Sequence, residues 1–464
     1  MPKLNVFREI NNSIEKVGSL ETVNYDIIFT YSPEYLSSEN AAALSPILPL
    51  QSGSFSTNVT AVFFEGLLPE GSMRKAVARA IHSETADFQA LLNALNRETV
   101  GALLFSDGDI DTSMFEYAEI PSGKLAEFAL RPYSVSFETN LKTHLSLAGM
   151  QPKIGLYHFG EDITSGWFEP KGFAPSTHII KAPNAEYRLE TINEALCLKT
   201  AKYCDFDVAE CELIPIEGSE PLIAIERFDR VFTDIPSREI NGLPVPQRLH
   251  QEDFCQCLGW PSKDKYEPTD GNYLNHGALL ISENCSNSYG DKMMFFSRII
   301  FDWLIGNCDN HLKNHSLLYS PNWDKRELSP LYDILCTTFY PGFSHEMGVS
   351  LCPSRILEDV SEEFIVEYAG TIGISKEMAL EQLEDLVNVF PIALERACTE
   401  LVSEGFTKAK EVACFIFNDA AQRCDKLSPS LYFGERCIEE LVPSAMDAAK
   451  ISGGREAVEK ESVR

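Results

Sequence analysis

No cysteine precedes Cys197, although thirteen are present in the 464 residues. None stands in a C-x-x-C, and the tightest pair is Cys255 and Cys257. Both a disulfide framework and a zinc ribbon need closer and more regular spacing, so reduced thiols in a cytoplasmic protein are expected. Long apolar runs are missing too. The richest stretch, MMFFSRIIFDWLIG, is broken by Arg298 and Asp302 and is too short and too charged to span a bilayer. The opening MPKLNVFREI has no apolar signal-peptide core, and no membrane contact is expected. Basic residues are scarce: 39 Lys and Arg face 69 Asp and Glu, a net charge of −30. Such a surface repels phosphate backbones, which disfavours tight binding of DNA by the chain alone. His311 and His315 stand four apart, but no H-E-x-x-H surrounds them, and no G-x-S-x-G occurs. What is present is ordinary for a folded protein: 44% hydrophobic and 23% charged residues, enough for two or three domains or one large two-lobed enzyme.

Residues 1–110 read as mixed strands and helices. YDIIFTYSP is a strand closed by Ser32 and Pro33, SMRKAVARAIHSETADFQALLNALNRE has helical apolar spacing, and GALLFS is a short strand. The acidic, turn-rich residues 106–125 suggest a linker. Within 111–235, KIGLYHF, THIIKA and PLIAIERF alternate with the helical pattern TINEALCLKTAKYC, which predicts a small sheet carrying one helix. Residues 232–248 form a Pro-rich stretch, and 236–425 become mostly helical. There DKMMFFSRIIFDWLIGN ends in a glycine, the loop NCDNHLKNH follows, and HSLLYS, PNWD and ELSPLYDIL read as a hairpin. The extension 426–464 ends in a frayed tail.

Asp309 and Asn314 form a D-x-x-x-x-N on one tight loop. Phosphoryl transfer needs such a pair, an acid that takes or orients the hydroxyl proton and an amide oxygen that holds Mg2+. Two solvated loop residues would look the same. The loop, however, follows a buried-looking helix and precedes a hairpin leading to Tyr332 and Asp333, the element order of protein kinases. Asn314 and Asp333 would then be the metal ligands. Lys181 ends an apolar strand, where burial is costly unless an anion meets it; Glu194 is its candidate partner, and a snorkelling edge lysine is the plain alternative. LSLAGMQPK has one glycine among small residues and would bend over phosphates with its N–H groups inward. Glu226, Arg227 and Phe228 end a strand where a sheet would pass to a helical lobe, a place where backbone can meet an adenine edge.

These pieces together resemble the HipA family of bacterial toxin kinases. Five segments carry the resemblance in register: LSLAGMQPK, THIIK, AIERFDR, LIGNCDNHLKNHSLL and LSPLYDI. MPKL, YSPEYL, LPLQSG, FFEGLLPEG and ETVGAL extend it through the N-terminal block. The resemblance implies an α+β, two-lobed protein-kinase-like fold with an additional N-terminal subdomain and a mostly helical C-terminal lobe. It implies an ATP- and Mg2+-dependent serine/threonine kinase with Asp309 as catalytic base and Asn314 and Asp333 on the metal. Lys181, aligned by Glu194, would contact the phosphates, and Ala148, Gly149, Met150, Gln151, Pro152 and Lys153 would cover them. Glu226 to Phe228 would be the adenine hinge, with His311 and Tyr332 beside the nucleotide. Ser146 falls on the family's autophosphorylated serine. The implied partners are a HipB-like helix-turn-helix antitoxin, which would carry the DNA contact, and a protein substrate; aminoacyl-tRNA synthetases are the family's better-known targets. Pro152 departs from the glutamate of some members, and the residues beyond about 425 have no counterpart in the resemblance.

Two other readings use the same residues. A small-molecule phosphotransferase of the aminoglycoside type shares the Asp309, Asn314 and Asp333 logic. A pseudokinase acting as a corepressor through a DNA-binding partner would not need turnover at all.

Overall fold

The structure, a computed structural model, describes residues 3–427 apart from residues 12, 25, 86, 96, 122, 145–150, 185, 234–237 and 270. The chain begins with three antiparallel strands, β1 (Lys3–Ile10), β2 (Ser13–Val23) and β3 (Asp26–Tyr31). Four helices follow: α1 (Pro33–Leu36), α2 (Thr57–Glu65), α3 (Gly71–Ala80) and α4 (Phe88–Ala94). The chain then returns as β4 (Leu103–Ser106), which pairs with β1 and completes the order β3-β2-β1-β4. Ser32 caps α1 and Pro33 opens it, which is why β3 stops there. Val6, Leu20, Phe29, Phe64, Leu92 and Phe105 are fully buried in the core between this sheet and the helices.

One expectation changes here. The single helix suggested for SMRKAVARAIHSETADFQALLNALNRE is two helices, α3 and α4. The polar run HSETAD competes for backbone groups: His82 takes φ +53° and the Asp87 side chain caps the Ala90 N–H at 2.9 Å.

The next unit contains β5 (Glu116–Glu119), α5 (Lys124–Leu130), α6 (Pro132–Thr143), β6 (Lys153–His158), β7 (Trp167–Lys171) and β8 (His178–Lys181). α7 (Glu190–Tyr203), β9 (Cys211–Ile214) and β10 (Leu222–Glu226) complete it. All six strands join one sheet in the order β5-β7-β6-β8-β10-β9. The acidic stretch expected to be a linker thus supplies β5, whose pairing with β7 places an alternating, half-exposed edge strand on the sheet. Strand alternation sends Ile154, Leu156, Ile180 and Ala224 toward α5 and Phe128 on one face, while Ile223 and Ile225 meet the α7 side on the other. The Pro-rich residues beyond β10 make two short ladders, β11 (Arg230–Val231) with β14 (Gln247–Arg248) and β12 (Glu239–Ile240) with β13 (Leu243–Pro244).

The remainder is mainly helical: α8 (Phe254–Leu258), α9 (Tyr273–Asn284), α10 (Ser288–Ile305), α11 (Glu362–Thr371), α12 (Lys376–Ser403) and α13 (Ala409–Leu427). A three-stranded sheet, β15 (Gln251–Asp253), β16 (Ser316–Tyr319) and β17 (Arg326–Leu328), lies among them. α10 is the central element, buried along eleven consecutive residues from Phe295 to Ile305. Gly306 ends it at φ +74°, and a Cβ there would lie 2.3 Å from Thr338 Oγ1, so only glycine fits. The layering matches the expected α+β, two-lobed kinase-like fold. No helix of the described residues is long and apolar enough to cross a membrane.

Candidate functional site

A cavity of about 500 Å3 opens between the six-stranded sheet and the helical lobe, and the N-terminal unit closes one side of it. Lys153 and Lys181 enter from β6 and β8, where they are cross-strand partners. Asp309, His311 and Asn314 enter from the loop after α10, and Tyr332 and Asp333 from the segment after β17.

The Lys181 ammonium is fully enclosed and sits 2.6 Å from both Glu194 Oε1 on α7 and Asp333 Oδ1. Burial pushes the Lys181 pKa down, but Asp333 and Glu194 outweigh it and raise it above the ordinary lysine range. Burial likewise opposes ionisation of Asp333, yet Lys181 and Lys153 hold its carboxyl well below the usual range. That carboxylate is therefore ionised at neutral pH and is still 41% exposed to the cavity. Asp333 takes φ +57°, a conformation rare for non-glycine residues and tolerated best by Asp and Asn. It does not lie on the strand itself, as the sequence suggested. It follows the isolated parallel bridge between Leu331 and Val208. For Lys153, burial and the neighbouring Lys181 cation push the pKa down to about 8.

The Asp309 loop is organised by its own backbone. The Asp309 carbonyl accepts from His311 N and from Asn314 Nδ2, both at 2.8 Å. A carbonyl can only accept, so this bond commits the Asn314 NH2 and leaves its Oδ1 as the outward acceptor. From below, Asp302 Oδ1 accepts from Asn307 Nδ2 at 2.7 Å, and Asn307 Oδ1 accepts from Asp309 N at 3.0 Å. Arg298 donates to the Ser329 carbonyl at 2.6 Å, holding the segment that leads to Asp333. The two charges that interrupt the apolar pattern of α10 thus brace the two loops of the site. Burial raises the Asp309 pKa, and the nearby Asp333 adds to that; the Tyr266 hydroxyl donates to Asp309 Oδ1 and opposes it.

The donor set fits Mg2+. Asn314 Oδ1 and the Asp333 carboxylate are hard oxygen donors lining the same cavity and could hold such an ion, which would take its other ligands from phosphates and water. Among the described residues no group of three or more His, Cys, Asp or Glu could hold a metal ion. Among the described residues the buried Nδ1 of His311 has no hydrogen-bond partner, and burial pushes that imidazole down to about 3, so it lines the cavity neutral.

The other expected residues fall in three groups. Gln151, Glu226, Arg227 and Phe228 line the same cavity, with the Phe228 ring 5.5 Å from that of Tyr332. The Arg227 guanidinium, however, turns away into a buried ion cluster, leaving the cavity to its backbone. Pro152 is buried and does not line the cavity. Ser146, Ala148, Gly149 and Met150 lie outside the described residues.

Several contributors carried no sequence signal. Glu70, from the turn before α3, reaches Lys265 at 3.3 Å and Lys313 at 3.4 Å, and Lys313 also meets Asp253 at 2.9 Å. Tyr266 is nowhere near Asp309 in sequence. Glu190, which accepts from Gln151 at 3.2 Å, is pushed up to about 8 by burial and by Glu194. These pairings join residues up to 243 positions apart, beyond any local pattern.

The chain matches the HipA N-terminal domain over residues 9–106 and the HipA-like C-terminal domain over residues 145–393, the second alone more than half of its length. It belongs to the HipA family. The provisionally named kinase Y4mE of Sinorhizobium fredii is 31% identical over 383 residues, covering 80% of this chain and 86% of that protein. The serine/threonine-protein kinase toxin HipA of Shewanella oneidensis is 25% identical over 362 residues, 76% of this chain and 80% of that one. Among solved structures, HipA from the Shewanella oneidensis complex of HipA, HipB and operator DNA superposes with a TM-score of 0.75 over 93% of this chain and 98% of that one, at 21% identity. This HipA-family chain therefore shares that fold across nearly its whole length.

Proposed function

We propose that this HipA-family protein is an ATP- and Mg2+-dependent serine/threonine protein kinase. The observation that carries the reading is one cavity holding the Lys181–Glu194 ion pair, the ionised Asp333 and the Asp309–Asn314 loop together. The acceptor hydroxyl gives its proton to an Asp309 carboxylate oxygen while its oxygen bonds to the γ-phosphorus. The bond from that phosphorus to the β,γ-bridging oxygen breaks, and ADP leaves with the electron pair. Lys181 and Lys153 hold the phosphates, and Glu194 keeps Lys181 aimed at them. Asn314 and Asp333 would hold Mg2+, which would neutralise charge on the phosphates when bound. Phe228 and Tyr332 bound the base.

The family reading extends to partners. A HipB-like helix-turn-helix antitoxin would neutralise the kinase and carry the DNA contact, in keeping with the Shewanella oneidensis complex. An aminoacyl-tRNA synthetase would be the substrate class, and Ser146 a self-modified site that weakens nucleotide binding by adding about −1.5 to −2 charges beside the phosphates. The purified protein is to be incubated with Mg2+-ATP, a cell lysate, and a panel of sugars and aminoglycosides. Label on a protein band and on Ser146 is expected. Label on small molecules alone would replace this reading with a small-molecule phosphotransferase, and no transfer at all would favour a non-catalytic corepressor.

A further inference from the structure

A buried ionic cluster lies behind the wall of the cavity, outside the residues that meet the phosphates. Its centre is Glu98, in the chain between α4 and β4, which is 5% exposed at its side chain. Glu98 Oε1 accepts from Arg227 Nη1 at 2.8 Å and from Arg230 Nη2 at 3.0 Å. It also accepts from the Ser176 hydroxyl at 2.9 Å and the Ser176 N–H at 3.1 Å. Glu98 Oε2 accepts from Arg248 Nη2 at 2.8 Å. Asp229 forks onto the other edge of Arg227, at 2.9 and 2.8 Å, and accepts from Gly101 N at 2.7 Å. Gly101 sits at φ +80°, and a Cβ on it would lie 2.9 Å from Gln251 N, so the segment is pressed onto the helical lobe.

An isolated salt bridge this deep is a poor source of stability, because desolvation offsets the attraction. Placement is the better account. Arg227 is the middle residue of the strand end whose backbone lines the cavity, and its N–H donates to the Thr177 carbonyl at 2.9 Å. Its guanidinium is held on three sides, by Glu98, Asp229 and the Thr99 carbonyl at 2.9 Å. The same segment sends Val100 to the cavity. The N-terminal unit thus grips the backbone of Glu226, Arg227 and Phe228 from behind and touches the cavity from the front.

We propose that Glu98 is a positioning residue for the nucleotide base, clamping Arg227 so that the backbone of Glu226 to Phe228 is fixed at one wall of the cavity. The N-terminal unit is then part of the nucleotide site rather than an appendage to the kinase lobes. This rests on the nucleotide-binding reading above, and the two separate cleanly. If the unaltered protein binds no ATP, both fall; if it binds ATP but the variants below behave like it, only this one falls.

The experiment compares Glu98→Gln with the unaltered protein and with Leu394→Ala, a core change in α12 outside the residues that line the cavity. The readouts are the KM for ATP, kcat at saturating ATP, discrimination against GTP, and Tm. Glu98→Gln removes the charge but keeps the shape. It is expected to raise the KM for ATP about tenfold and to erode ATP-over-GTP preference, with kcat within about twofold, because the groups at the transferring phosphate are untouched. Leu394→Ala is expected to lower Tm without moving the KM. A Glu98→Gln protein with lowered kcat or Tm but unchanged KM and nucleotide preference would overturn the proposal. If that variant does not fold, Ser176→Ala decides: it removes one hydroxyl from Glu98 and Arg227, and a KM raised about threefold supports the clamp, whereas an unchanged KM overturns it.

Discussion

Asp309 and Asp333 are both carboxylates on one cavity, and their surroundings drive them apart. Asp333 is paired to Lys181 and held ionised, whereas burial and the Asp333 charge raise Asp309. That split suits a metal ligand and a proton acceptor. Asp309→Asn is expected to lower turnover by about 10²–10⁴-fold, the usual range for loss of a general base, while ATP affinity stays within about threefold. Near-normal turnover would remove Asp309 from that role. Asp333→Ala is expected to weaken nucleotide binding more than Asp309→Asn does, and only when Mg2+ is present. Calorimetry with and without Mg2+ distinguishes the two, and equal affinities in both variants would reverse the assignment.

Among the elements, α10 determines the site's geometry. Its apolar face is ordinary core, but Asp302 is buried near its end and reaches Asp309 through Asn307. Burial pushes the Asp302 pKa up to about 7. A carboxyl raised in the folded state binds its proton more tightly there than in the unfolded chain. Its contribution is therefore complete below about pH 4, the unfolded value, and is lost as pH rises toward 7. The slope is on the order of 1 kcal/mol per pH unit across that window. Asp302→Asn keeps an oxygen for Asn307 and removes the titration. Urea unfolding from pH 4 to 8 should show a flatter stability profile for the variant. Parallel profiles for the two proteins would mean that Asp302 is already ionised in the fold.

On the scale of the whole molecule, a net charge of −30 opposes the counterion release that supplies most protein–DNA affinity. The isolated chain is expected to give no sequence-specific gel shift at physiological salt, and to enter a DNA complex once a helix-turn-helix partner is added. Specific binding by the chain alone would contradict this. The same scale is where the lobes are joined. Three carboxylates, Glu9, Glu98 and Asp229, meet Arg227, Arg230, Arg238 and Arg248 from different parts of the chain in one buried network.

Local chemistry was legible where the interacting groups are near in sequence. The strand patterns around Ile154, Ile180 and Ile223, the glycine that ends α10, and the five-residue interval from Asp309 to Asn314 all follow from periodicity, capping and loop length. The pairing of Lys181 with Glu194 was legible too, because a buried lysine needs an anion and α7 offers one thirteen residues on. The break between α3 and α4 was misjudged because apolar spacing persists across a run of residues that prefer to cap and turn. Strand β5 was missed because an exposed edge strand needs little hydrophobicity of its own; its partner β7 supplies the ladder. Tyr266 on Asp309, Glu70 on Lys265 and Lys313, and Glu98 on Arg227 were decided only by tertiary structure. Each is a charge or hydroxyl whose partner lies tens to hundreds of residues away. The sequence states which of these groups must find a partner if buried, and only the packing of the lobes determines which partner that is.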